Sequence, residues 1–322
     1  MEKLKVHNKL LFLISLSFFL LAIYFLCVVF ENRKQELIHL KIDLFSSRFF
    51  VYCIFLLALQ FLNWFFEALK FQLLLFENER ISLIIALKAV YVGNFTAFFT
   101  PDRVGTFIGR IVVLKKFSKL KITALTAVGN LSQLMATVFF GLLAFLLIKN
   151  VNQEIFNVDL YVLSFLQFAF VLLFVALTLI FAYPFLVLKL FERWPFFGRY
   201  IKRLSYLSEI SNELKIKIFV LSVSRFLVFY FQYLLLVFYF NVDFSYLDVL
   251  VFVGILYGIV TFIPSPFLGN FGTREALALY LTAATPLGLI GPLISFFVWL
   301  INVGVSSLIG GLILIINKFK SI

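Results

Sequence analysis

Two short polar stretches in an otherwise apolar chain hold the residues that could do chemistry. TPDRVGTFIGR, Thr100 to Arg110, carries Pro101, Asp102, Arg103, Gly105, Gly109 and Arg110. PSPFLGNFGTRE, Pro264 to Glu275, carries Pro264, Pro266, Gly269, Asn270, Gly272, Arg274 and Glu275. An ionisable side chain within a membrane span costs roughly 3 kcal/mol unless it finds water, a partner or the interface. Arg103 is therefore read as a contact for a phosphate or carboxylate. The alternative is an ion pair with Asp102 or Glu275 that only holds the segment together. Arg110 either reaches a headgroup or snorkels to the membrane surface. Glu275 could bind a cationic group, carry a proton or pair with Arg103, and Asp102 is the other group available for ion coupling. Arg274, next to Glu275, is expected to face another direction on a helix. Asn94 and Asn270 flank the two stretches and either touch substrate or cap freed backbone groups.

What is missing narrows the chemistry. His7 and His39 lie in polar flanks, and Cys27 and Cys53 lie in apolar runs. They offer no metal cluster, redox motif or intramembrane acid–base pair. An intramembrane enzyme would have to rely on Asp102 and Glu275 with no evident nucleophile, so the chain is read as non-enzymatic. No P-loop accompanies them, which argues against ATP-driven pumping, and no cofactor is expected.

The elements that must position these residues follow from hydropathy. The chain has 322 residues, 63% hydrophobic and only 14% charged, with 46 Phe and a mean hydropathy of +1.07. Soluble domains are nearer half apolar and a quarter charged. The reading is an all-α polytopic membrane protein forming one integral domain over residues 1–322. The net charge of +12 fits topology signals and anionic lipid rather than nucleic acid. Long apolar runs cover 10–30, 49–76, 82–100, 122–148, 160–188, 218–240, 246–263 and 289–317, with shorter ones at 104–114 and 276–285. The first is expected to be an uncleaved helix.

Basic clusters set the expected orientation. They fall in the N-terminal tail, at Arg110–Lys121, at Lys189–Lys217 and at Lys318 and Lys320. All reach the cytoplasm, along with both termini, if 82–100 pairs with 104–120 in a hairpin that enters and leaves on one side. From Val104 to Lys115 there are too few residues for the ~20 that a crossing helix needs. The same parity applies to 246–263 with 273–285. About six full spans and two re-entrant hairpins result. Residues 199–217, with Ile201, Leu204, Leu207 and Leu214 among charged neighbours, are expected to form a cytoplasmic amphipathic helix or an ordinary connector.

DRVGT (102–106) and GNFGT (269–273) stand 167 residues apart. The flanking order of span, hairpin and span agrees over 48–148 and 217–317, joined by 160–217, and the implied orientations are opposite. That is the signature of an inverted-topology repeat. In such folds the substrate site lies where broken helices meet, here at Pro101, Gly105, Gly109, Pro264, Pro266, Gly269 and Gly272. Helix starts at the breaks attract anions. Glu67 and Lys70, one turn apart, are expected to pair. Arg225 lies deep in a span without a local acid. Asn63, Asn130, Gln133, Gln232 and Asn302 suit interhelical hydrogen bonds.

PDRVGTFIGR is similar to the Pro-Gly-Arg-x-Gly-Glu…Arg motif of the lysylphosphatidylglycerol synthase transmembrane family, also called the flippase-like domain family. PSPFLGNFGTREA resembles its second motif, Pro-x-x-Pro-Gly-Gly-x-Gly-x-x-Glu-Ala. The resemblance covers about residues 10–317. Here Asp102 and Thr106 replace the first motif's Gly and acidic residue, and GNLSQ (129–133) stands where an acidic-basic pair is often found. The resemblance implies the translocation half of such proteins without the aminoacyl-transfer domain. The expected function is movement of a polar or phosphate-bearing lipid headgroup across the plasma membrane. The alternatives are a transporter of a small anionic solute and a scaffold for an envelope-lipid enzyme. The expected partners are a phospholipid or lipid-linked substrate and a lipid-modifying enzyme.

Overall fold

Apolar runs without internal turn residues become helices, because only internal hydrogen bonding satisfies the backbone in lipid. A computed structural model describes residues 46–76, 81–148, 160–185, 202–265, 268–283, 285 and 287–319, with isolated positions before 46 and at 189. The expected first span at 10–30, Pro266 and residues 199–201 of the expected amphipathic helix lie largely or wholly outside these. The helices are α1 (Ser47–Phe76), α2 (Leu83–Phe98), α3 (Gly105–Val113), α4 (Lys119–Leu147) and α5 (Leu160–Ala182). They continue as α6 (Asn212–Tyr239), α7 (Tyr246–Val260), α8 (Thr273–Thr282), α9 (Ile290–Trp299) and α10 (Ser306–Phe319). No strand occurs among the described residues.

Five helical runs are long and apolar enough to cross a membrane: α1, α4, α5, α6 and the continuous Ile290–Ile316. The protein is therefore an all-α polytopic membrane protein. On α5, Tyr161, Phe165, Phe168, Leu172, Val175 and Leu179 form an exposed stripe at helical spacing. Such a stripe would be costly in water and suits a surface facing lipid.

The two short arms lie at the centre. α2 has 16 residues and α7 has 15, both below the length of a crossing helix. Ala89–Asn94 on α2 and Val251–Leu256 on α7 are buried without interruption, so at those levels neither helix has a free face. α2 packs on α3 and α10, α7 on α4, α1 on α6, and α8 on α9. A stacked ring pair, Phe140 and Phe226 at 4.0 Å, ties α4 to α6.

Both arms end in similar breaks. Backbone φ turns positive at Asp102 (46°) and Arg103 (60°), and again at Gly269 (56°) and Asn270 (66°). Left-handed backbone is uncommon outside Gly, Asn and Asp, and here it falls on corresponding positions of the two motifs. Each break forms a short 3₁₀ turn, Pro101–Arg103 and Leu268–Asn270, before the next helix begins.

Two expectations need correction. Gly105 and Gly109 are not break points; both lie within α3 and serve close packing. A Cβ on Gly105 would sit 2.2 Å from the Thr96 carbonyl oxygen, and one on Gly109 2.5 Å from that of Val92. Without side chains there, α2 and α3 close into a tight hairpin. The described part of the expected amphipathic helix 199–217, residues 202–217, does not form one helix. A 3₁₀ turn at Lys202–Ser208 stops, and Ser211 then caps α6 by accepting from the Leu214 N–H, because a Ser N-cap starts a new helix where the chain changes direction. Sequence periodicity does not foretell one further feature of the last span: Leu300–Val305 is π-helical. That wider turn leaves the Asn302 carbonyl to accept from Trp64 Nε1 at 3.2 Å and from Ser306 Oγ.

Candidate functional site

The two breaks meet. The Asp102 N–H donates to the Ser265 carbonyl at 2.9 Å, and the Ser265 N–H donates back to Asp102 Oδ1 at 2.8 Å. Ser265 Oγ in turn accepts from the Asn270 N–H at 3.0 Å. Asp102 thus ties the tip of one hairpin to the tip of the other across 163 residues of sequence. Losing a hydrogen-bond acceptor for a half-buried N–H costs roughly 1–3 kcal/mol. In Asp102→Ala, hydrogen exchange at the Ser265 amide should therefore accelerate at least about tenfold, measured by mass spectrometry. Unchanged exchange would mean that the tips are held by something else.

A cavity of about 650 Å³ opens at this junction. Its wall includes Asn94, Asp102, Arg103, Arg110, Asn270 and Arg274 from the two sequence motifs, and Trp64, Glu67, Asn130, Gln133, Arg225 and Asn302 from the surrounding helices.

One carboxylate organises the buried charge. Glu67 on α1 pairs with Arg110 of α3 (2.6 Å), Lys70 one turn along (2.8 Å) and Arg225 of α6. All four are buried. Arg225 also donates from Nε to Asn63 Oδ1 (2.8 Å) and from Nη1 to Gln133 (3.2 Å). Lys70 leans on Ser222, which meets Ser132. The acid that sequence spacing denied Arg225 comes from another helix. Arg110 does not snorkel: it is buried against Glu67, with its guanidinium 4.4 Å from the Phe71 ring. Asn63, Asn302 and Gln232 form an interhelical chain, Asn63 Nδ2 to Asn302 Oδ1 and Asn302 Nδ2 to Gln232 Oε1.

Arg274 and Glu275 do not face apart. Arg274 Nη2 donates to Glu275 Oε1 at 2.7 Å and to the Ser295 carbonyl, and its Nε donates to Ser295 Oγ. Glu275 turns back along α8, and its Oε2 accepts from the Gly272 N–H at 2.7 Å. At the first turn of a helix a carboxylate satisfies an orphan amide and the positive helix end, and that pull brings it within reach of its neighbour. The anion-attracting start of α8 is thus already occupied by its own Glu275. Thr100 Oγ1 takes the Gly105 N–H at the start of α3 in the same way.

Arg103 differs from the other arginines. Among the described residues no carboxylate pairs with it, neither Asp102 nor Glu275. It makes one long hydrogen bond to Asn94 Oδ1 (3.3 Å) and lies 5.9 Å from the Trp64 ring. Arg103 is itself exposed, and the Asn94 Nδ2 beside it is buried without a partner. Sequence reasoning did not place Trp64 or Glu67 at this site. The only available signal was indirect: Arg225 lacked a local acid, and Glu67–Lys70 was an acid–base pair inside a span.

Helices long and apolar enough to span a membrane, arranged around a polar and strongly charged cavity, define a polytopic membrane protein that holds a hydrophilic site among its helices. A family model described as the lysylphosphatidylglycerol synthase TM region matches residues 12–301, and the chain belongs to that family. No curated protein and no solved structure matches it. The matched stretch is the membrane region of such synthases and not their aminoacyl-transferring part. Membership together with the apolar helices gives a lipid-handling membrane function.

Proposed function

We propose that this protein is a lipid translocator that passes a polar headgroup between leaflets while the acyl chains remain in the bilayer. One observation carries the reading: the cavity lies where two broken hairpins touch, and Arg103 stands in it without a carboxylate partner among the described residues. Polar lining at such a junction, surrounded by helices with apolar outer faces, suits a headgroup path. Arg103, Asn94 and Asn270 contact the headgroup, while Arg110, Arg274 and Glu275 set the charge of the wall. Asp102 and Glu275 are the groups available for coupling to an ion. Pro101, Pro264, Gly269 and Gly272 supply the breaks, and Gly105 and Gly109 the close packing behind the first.

The reading includes an inverted-topology repeat over 48–148 and 217–317, with 160–217 as connector. Two features support it: the common order of helix, broken hairpin and helix, and the left-handed residues at matching positions of the motifs. The hairpins are re-entrant from opposite sides. Both termini lie in the cytoplasm and the protein sits in the plasma membrane, where it could hand lipid to or from a lipid-modifying enzyme.

The test is movement of acyl-labelled fluorescent phospholipid in proteoliposomes, read by dithionite quenching. Loss of the protected inner-leaflet signal, beyond that in protein-free vesicles, is expected. No movement under any ion gradient would refute translocation. Uptake of a soluble anion without lipid movement would identify a solute transporter.

A further inference from the structure

The balance of charge around the cavity says more about the headgroup than the presence of arginine does. Five cations, Lys70, Arg103, Arg110, Arg225 and Arg274, stand in or just behind the wall against three carboxylates, Glu67, Asp102 and Glu275. Each carboxylate is already committed to donors of the protein itself: Glu67 to three cations, Glu275 to Arg274 and the Gly272 N–H, and Asp102 to the Ser265 N–H. Two positive charges remain without a carboxylate to balance them, and Arg103 faces the open space. Most of the unused hydrogen-bonding capacity has the same sign, the Tyr257 hydroxyl on the wall being able to donate or accept. Asn94 Nδ2 and Arg110 Nε are buried donors without partners, both on residues that line the cavity. A buried donor left unmade costs roughly 1–3 kcal/mol, so such a set is satisfied by a ligand that brings acceptor oxygens and negative charge.

An ammonium-bearing headgroup meets the opposite situation. It would enter a region of net positive charge in which each carboxylate already has a donor, and like charges at short range in a low-dielectric wall repel strongly. A phosphodiester supplies one negative charge. A terminal phosphate monoester supplies close to two, with three oxygens arranged around one centre. Arginine matches that geometry through two parallel N–H donors, and the Arg103 guanidinium lies 5.9 Å from the Trp64 ring.

Resting on the translocator reading above, we infer that the site selects a lipid ending in a phosphate monoester and rejects the aminoacylated, cationic lipid that the family's description names. The selecting groups are Arg103, Asn94 and the uncompensated charge of the Arg110–Arg225–Lys70 cluster around Glu67.

Proteoliposomes at about pH 8, where a phosphate monoester carries close to two charges, give the test. Four acyl-labelled probes are compared: phosphatidic acid, phosphatidylglycerol, phosphatidylethanolamine and lysylphosphatidylglycerol. Phosphatidic acid should move at least about tenfold faster than phosphatidylethanolamine, a difference of ~1.4 kcal/mol in selection, and lysylphosphatidylglycerol should move slowest. Arg103→Glu, which cancels the excess, should bring the rates for phosphatidic acid and phosphatidylethanolamine together. Because the readout is a ratio of lipids on the same protein, a lower folded yield does not imitate it. Equal rates for all four probes would overturn the inference and leave translocation standing. In a parallel measurement, inorganic phosphate alone should change the fluorescence of Trp64 in a Trp194→Phe, Trp299→Phe background. If phosphate binds there but no lipid moves, the monoester chemistry holds and the translocator reading falls. If phosphate does not bind and no lipid moves, both fall.

Discussion

Glu67→Ala should abolish most of the folded yield of this protein. In Glu67, one carboxylate holds Arg110, Arg225 and Lys70, and all four side chains are almost fully buried, Lys70 at 1% and Glu67 at 3% exposure. Removing the acid leaves three cations facing one another with no counter-charge from α1. Breaking a buried ion pair by deleting one partner costs about 3–5 kcal/mol, and here three pairs break together. The expected result is a large fall in the fraction of monodisperse protein surviving mild heating in detergent. Glu67→Asp, which keeps the charge, should recover part of it. An anion that fills the cavity should recover more by binding the folded state, so saturating phosphatidic acid should raise the survival of Glu67→Ala above that of the same protein in phosphatidylethanolamine. Survival equal to wild type in Glu67→Ala would show that the cluster does not depend on its central acid.

Gly105→Ala should cost both stability and movement, although it adds only one methyl group. The added Cβ would lie 2.2 Å from the Thr96 carbonyl oxygen and 2.7 Å from the Ala97 nitrogen. These are backbone atoms of the opposing arm and cannot rotate away. The hairpin must open, which strains the hydrogen bond from Thr96 Oγ1 to the Gly105 carbonyl (2.6 Å) and shifts Arg103 two residues before it. Overpacking of this kind costs roughly 1–3 kcal/mol, and a misplaced contact residue can cost about a hundredfold in rate. Lipid movement at a tenth of the wild-type rate or less is expected. Gly129→Ala is the internal control. Its Cβ would meet only side-chain atoms of Leu74 and Lys70 at ordinary distances of 3.5 and 3.6 Å. Exchanging Gly for Ala inside a helix should leave stability unchanged or raise it by up to ~1 kcal/mol.

The contrast between these two glycines shows what could be read in the sequence. Hydropathy located every long helix among the described residues, because burial in lipid demands an unbroken apolar run that is visible one residue at a time. The parity of the basic clusters and the short runs that follow α2 and α7 marked both as arms of hairpins, and the shared DRVGT and GNFGT pattern pointed to both breaks. Spacing could not say that Gly105 packs against Thr96 rather than bending the chain, since that depends on a neighbouring arm. Arg274 and Glu275 were misjudged for a similar reason: helical geometry sends adjacent side chains apart, but the capping demand of the Gly272 N–H turns one of them back. The charge cluster was hidden most completely. Glu67 and Arg225 lie 158 residues apart, and nothing local to either names the other. Only the absence of any nearby acid for Arg225 pointed to a distant partner.

The central claim, that a headgroup crosses where the two hairpin tips meet, can be tested by locking that junction. With Cys27 and Cys53 replaced by Ser, cysteines at Asp102 and Ser265 would stand where the backbone hydrogen bond from the Asp102 N–H to the Ser265 carbonyl (2.9 Å) holds the tips together; the disulfide takes the place of the side-chain bond from the Ser265 N–H to Asp102 Oδ1 (2.8 Å). In proteoliposomes the oxidised double variant should stop moving phosphatidic acid, a reductant should restore movement, and neither single variant should respond to oxidant. If the locked protein moves lipid at the rate of the reduced one, the headgroup does not pass between the tips.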